Sequence, residues 1–148
     1  MRLTDSEAID KAGILIVDDD MDIRQMLAAC LVMEGFRVTS AESGYEALAL
    51  LKSSPFSLML TDYSMPGMDG LRLAEEARKT APELIIIMVT GDSLTQLYPK
   101  ATKLGITAVL AKPFNIKELL SIIRLEVMRR IMRPGPTDIP PLEGNHLY

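Results

Sequence analysis

Two runs in this chain are apolar at every position, ILIV at 14–17 and LIIIMV at 84–89. Successive side chains of a strand point to opposite faces, so a strand with one wet face alternates polar and apolar residues. A strand apolar on both faces has to be covered twice, as in a parallel sheet with helices on either side. A third run, SLMLT at 57–61, is apolar through its centre and belongs with them.

The segments between these runs change period. Ile23, Met26, Leu27, Cys30 and Leu31 form one helical stripe, and Gly35 is placed to close that helix. A second strand is predicted over 36–40, and a second helix over 45–52 that Ser54-Pro55 stops. A third helix over 71–79 ends before Pro82, and 107–110 reads as a fifth strand. The last helix, from about 115, carries Ile116, Leu119, Leu120, Ile123, Val127 and Ile131 at helical spacing. Pro99 predicts that the helix before the fifth strand starts near Tyr98-Pro99, with 92–97 an irregular lead-in. Five strands alternating with five helices predict an open, doubly wound α/β fold, and 148 residues suffice for one such domain.

Sheets of this kind bind ligands beyond the carboxyl ends of their strands. The first strand there meets Asp18-Asp19, the third Asp62, the fourth Thr90, and the fifth runs into Lys112. One aspartate at a strand end is an ordinary turn residue. Acids after the first strand also suit a helix start, the reading given to Asp20 and Asp22. Three carboxylates at one edge repel each other and call for a cation, and all-oxygen ligands favour a hard ion such as Mg²⁺. A carboxylate beside such an ion can attack phosphorus, and phosphoryl transfer needs chiefly positioning and charge neutralisation. Lys112 and Thr90 are placed to supply both. The site reads as a phosphoryl acceptor.

In order along the chain stand VDDD at 17–20, LTDYSMPGMDG at 60–70, VTG at 89–91 and AKPF at 111–114. Together they resemble the receiver domain of bacterial two-component response regulators, of the chemotaxis-regulator kind, over roughly residues 12–131. The resemblance implies the flavodoxin-like strand order 2-1-3-4-5. It makes Asp62 the phosphoacceptor, supplied by a sensor histidine kinase, a histidine phosphotransfer protein or a small donor such as acetyl phosphate. Asp18, Asp19, Asp62 and the Ser64 backbone carbonyl would hold Mg²⁺. Thr90 matches the switch hydroxyl, Lys112 the phosphate-pairing lysine, and Pro113 a proline that follows a cis peptide. Ser64 and Asp92 occupy positions that influence the lifetime of the phosphate.

Val109 stands where the family usually has a switching aromatic, and a β-branched side chain has few rotamers with which to move. Its readout would be muted. Other classes fit less well. A phosphatase of the haloacid dehalogenase kind needs an aspartate where Ser64 stands, and the aspartates at 18–20 would repel a flavin phosphate. A phosphorylation-independent scaffold remains the other alternative.

The expected organisation is a leader over 1–12, a receiver over 13–132, and a Pro/Gly-rich disordered tail over 133–148, with no output domain. A net charge of -4 and a pI near 5.0 argue against direct nucleic-acid binding. Lys117, Arg124, Arg129, Arg130 and Arg133 give the last helix a basic side, a solvated face or a partner surface. Cys30 has no second cysteine to pair with, and neither a signal-peptide core nor a membrane-spanning run is present, so a cytoplasmic setting is expected. Partners would be the kinase, a downstream protein, and a second copy in a homodimer.

Overall fold

The computed structural model describes residues 13–91 and 94–132. The elements follow in strict alternation: β1 (Ile14–Val17), α1 (Met21–Met33), β2 (Val38–Ala41), α2 (Gly44–Ser53), β3 (Leu58–Asp62), α3 (Gly70–Thr80), β4 (Ile85–Thr90), α4 (Leu94–Lys103), β5 (Ala108–Ala111) and α5 (Ile116–Met132). The five strands form one parallel sheet in the order β2-β1-β3-β4-β5. The leader and the tail lie outside the described residues, as does Arg133.

The wholly apolar strands divide their side chains between two cores. Ile14, Ile16, Leu58, Leu60, Ile85 and Ile87 point to one face, where Leu27 and Leu31 of α1 and Leu119, Ile123 and Val127 of α5 cover them. Leu15, Val17, Met59, Ile86 and Met88 point to the other, against Ala47 and Leu51 of α2, Leu73, Ala74 and Ala77 of α3, and Leu97 and Ala101 of α4. This is the double covering that continuous apolarity demanded. Among the described residues no helix is long and apolar enough to cross a membrane.

Most boundaries shift by a residue or two from the sequence reading, and two differences have a specific physical cause. Phe36 is not in the second strand, which begins at Val38. Gly35, at φ 95°, ends α1, and the Phe36 amide donates to the Leu31 carbonyl at 3.1 Å while the Gly35 amide donates to Val32. The helix cap thus uses the Phe36 amide, and its ring is buried in the core instead.

The second difference is α4, which starts at Leu94 and carries Pro99 inside it rather than at its start. An interior proline costs about 3 kcal/mol through a lost hydrogen bond and a clash. Pro99 is on the exposed side, while Leu97 and Ala101 are buried in the second core. Burying a leucine contributes about 1.5–3 kcal/mol, enough to hold the turns around the proline in register.

Candidate functional site

The carboxyl ends of β1, β3, β4 and β5 are placed side by side by the parallel register: Val17 lies opposite Thr61, Asp62 opposite Val89, and Thr90 opposite Ala111. Asp62 is the last residue of β3 and only 7% exposed. Lys112 follows β5, its amide donating to the Thr90 carbonyl at 2.8 Å. That bond holds the lysine against the end of β4, and its ammonium lies 3.0 Å from Asp62 Oδ1. Thr90 is buried beside them, and the Lys112–Pro113 peptide is cis.

Asp18 and Asp19 extend β1 into the same edge. Asp18 is buried, with Oδ1 accepting from the Asp20 amide at 2.9 Å. Asp20 in turn caps α1 by accepting from the amides of Asp22 and Ile23, the cap role assigned from sequence. Asp19 is exposed. Carboxylate oxygens of Asp18, Asp19 and Asp62 all come within 4.8 Å of one another, a spacing and an all-oxygen chemistry that suit a hard divalent cation. Ser64 is exposed in the loop after Asp62, Val109 is half-buried opposite Met88, and Asp92 lies outside the described residues.

Burial raises the pKa of Asp18 above its ordinary 3.8, an effect the Asp20 amide and Lys112 oppose and the charges of Asp62 and Asp19 reinforce. The folded protein therefore holds this proton at pH values where the unfolded chain has released it. Stability from Asp18 is full below 3.8 and is lost as pH rises through its folded pKa. Asp18→Asn keeps an acceptor for the Asp20 amide and removes the charge. Thermal melts in EDTA are expected to show the variant melting higher than wild type near neutral pH. The difference should close as pH falls below 3.8.

Sequence reading missed two supports. Arg24, in the second turn of α1, reaches back with Nη1 to donate to the Asp18 carbonyl at 2.6 Å. Its position six residues after Asp18 was the available signal. Gly44 lets Met68 pack onto the start of α2, where a Cβ would meet the sulfur at 2.7 Å, and Tyr45 lies over Gly67. The first turn of α2 thus braces the loop that follows Asp62.

The sequence profile of the response regulator receiver domain matches residues 14–124. The chain belongs to the response-regulator receiver family. This receiver is similar to the response regulator receiver protein CpdR of Brucella abortus, 39% identical over 110 residues that cover 74% of this chain and 92% of CpdR. It is 36% identical over 121 residues to the C4-dicarboxylate transport transcriptional regulatory protein DctD of Rhizobium meliloti. That match takes in 81% of the receiver but spans only 26% of DctD. Among solved structures, a CheY-like receiver domain protein from Methanospirillum hungatei superposes with a TM-score of 0.78 at 34% identity, covering 81% of this chain and 96% of that one. The receiver domain of NtrX from Brucella abortus gives 0.73 at 31% identity, covering 78% and 98%. As a receiver domain of the two-component response-regulator family, the chain is a signalling module.

Proposed function

We propose that Asp62 accepts a phosphoryl group from a phosphohistidine of a sensor histidine kinase or histidine phosphotransfer protein, and that the acyl phosphate changes the binding of a downstream protein. One observation carries this reading. A buried strand-end carboxylate is ion-paired to Lys112 at 3.0 Å and has two further carboxylates within 4.8 Å.

An Asp62 oxygen attacks phosphorus, the P–N bond to the donor histidine breaks, and its electron pair returns to the imidazole nitrogen. Lys112 already holds Oδ1 of the acceptor, and its ammonium lies where negative charge on the transferring group would accumulate. The Thr90 hydroxyl donates to a phosphoryl oxygen. Asp18, Asp19, Asp62 and the Ser64 carbonyl would hold Mg²⁺, which supplies neutralisation of the gathered negative charge when bound. Val109, next to Leu110 on the fifth strand, takes the place of a swinging aromatic, so the change is carried by Thr90 and the loops around it. Residues 13–132 act as the phosphorylated unit.

The test is intact-protein mass after incubation with acetyl phosphate and Mg²⁺, for wild type and Asp62→Asn. Wild type is expected to gain one phosphoryl group and the variant none. Equal gain in both would move the acceptor elsewhere. No gain in either, with beryllofluoride leaving the melt unmoved, would favour a phosphorylation-independent scaffold.

A further inference from the structure

At the opposite edge of the sheet, beside the amino ends of β4 and β5, lies a cavity of about 410 Å³. Ile85 starts β4 and lines it, whereas Thr90 ends the strand at the acidic site, so the two places are roughly 16 Å apart along the sheet. Arg78 from α3 and Arg129 and Arg130 from α5 converge on this cavity, with Glu83 and Glu126. Three guanidiniums against two carboxylates leave one positive charge in surplus.

Two of these arginines are held in place. Arg78 Nη1 donates to the carbonyls of Pro82 at 3.0 Å and Leu84 at 2.6 Å, and Nη2 to that of Gly105 at 2.6 Å. These three bonds end on neutral acceptors, so they fix the guanidinium without cancelling its charge. Gly105, at φ 73°, presents bare backbone to it, and a Cβ there would come within 3.2 Å of Nε. Glu126 is 7% exposed and accepts from Arg129 Nη1 at 2.9 Å, which aims Arg129 from the wall of the cavity. Burial lowers the pKa of Arg78, and the charge of Arg130, which lines the same cavity, lowers it further against the opposing charge of Glu83.

We propose that this cavity binds a small phosphate-bearing molecule. A bound anion would relieve the crowding of Arg78 and Arg130, and guanidinium forks match phosphate oxygens in pairs. The volume suits a ligand of nucleotide size, and Pro82, Leu84 and Ile85 offer apolar wall to the body of an organic phosphate. Such a ligand would join the C-terminal half of α5 to the segments before β4 and β5, away from Asp62. The site is independent of phosphoryl acceptance there.

Amide NMR on the full chain in EDTA, titrated separately with inorganic phosphate, AMP and adenosine, tests the proposal. Expected are saturable shifts at Gly105, Thr107 and Arg130 with phosphate or AMP and none with adenosine. AMP acting at lower concentration than phosphate would mean the apolar wall contributes. Arg130→Gln leaves the Glu126–Arg129 pair and the Arg78 carbonyl bonds intact. It is expected to weaken binding about 10-fold or more while phosphoryl uptake at Asp62 stays as in wild type. The proposal is overturned by no shifts with either anion, by equal shifts with adenosine, by shifts confined to Asp62 and Lys112, or by undiminished binding in Arg130→Gln.

Discussion

Lys112→Ala is expected to slow phosphoryl uptake from acetyl phosphate by about 10²–10³-fold, the usual effect of removing one preorganised charge donor from a transferring group. The lysine is held by its own amide on the Thr90 carbonyl and sits 3.0 Å from Asp62 Oδ1, so its charge is in place before the donor arrives. Without it, the negative charge of Asp18, Asp19 and Asp62 meets an incoming anion with one cation fewer. Single-turnover intact mass against time, with Mg²⁺ saturating, gives the rate. Uptake at the wild-type rate would remove Lys112 from the transfer step and leave its ion pair a structural feature. Because Asp62 is only 7% exposed, the variant should also melt below wild type in EDTA, where an unpartnered carboxylate is costly.

Gly70→Ala carries the largest expected loss of stability. In an exposed helix this change would stabilise by about 1 kcal/mol. Here a Cβ would lie 2.5 Å from the Asp62 carbonyl oxygen and 2.9 Å from Tyr63 Cα. Both are backbone atoms at the end of a central strand, and they cannot swing aside as a flexible side chain would. The Gly70 amide also donates to the Tyr63 carbonyl at 2.7 Å, closing the loop that follows Asp62. The variant must therefore push α3 off the sheet or pull Asp62 from its place, at about 2–3 kcal/mol. Urea melts should show that loss, and phosphoryl uptake should fall with it because the acceptor moves. Gly91→Ala is the control, since a Cβ there meets nothing within 4 Å among the described residues, and its stability should stay near wild type. Equal loss in both variants would mean that backbone freedom, not the close approach to Asp62, is what these glycines supply.

Much of the fold was legible because burial on both faces of a parallel strand writes itself into consecutive residues. ILIV and LIIIMV needed no partner to be recognised, and their ends, with that of SLMLT, located Asp18, Thr90 and Asp62 at one edge. Helix caps were equally local: Asp20 and Gly35 act within four residues of their own positions. Phe36 and Pro99 were read wrongly for the opposite reason. A cap took the Phe36 amide from the ladder, and core contacts of Leu97 and Ala101 carried a helix across a proline that local propensity would have placed at its start.

The chain order of short apolar runs and strand-end charges thus determined the sheet, its double covering and the edge at which the acids gather. Only the tertiary structure decided which groups touch there and elsewhere. Lys112 and Asp62 are fifty residues apart in sequence, and Arg78 and Gly105 twenty-seven. Periodicity reports which side of an element is buried, since that is a property of neighbouring residues. The distance between charges on different elements depends on how the helices pack across the sheet, and a local pattern does not contain it.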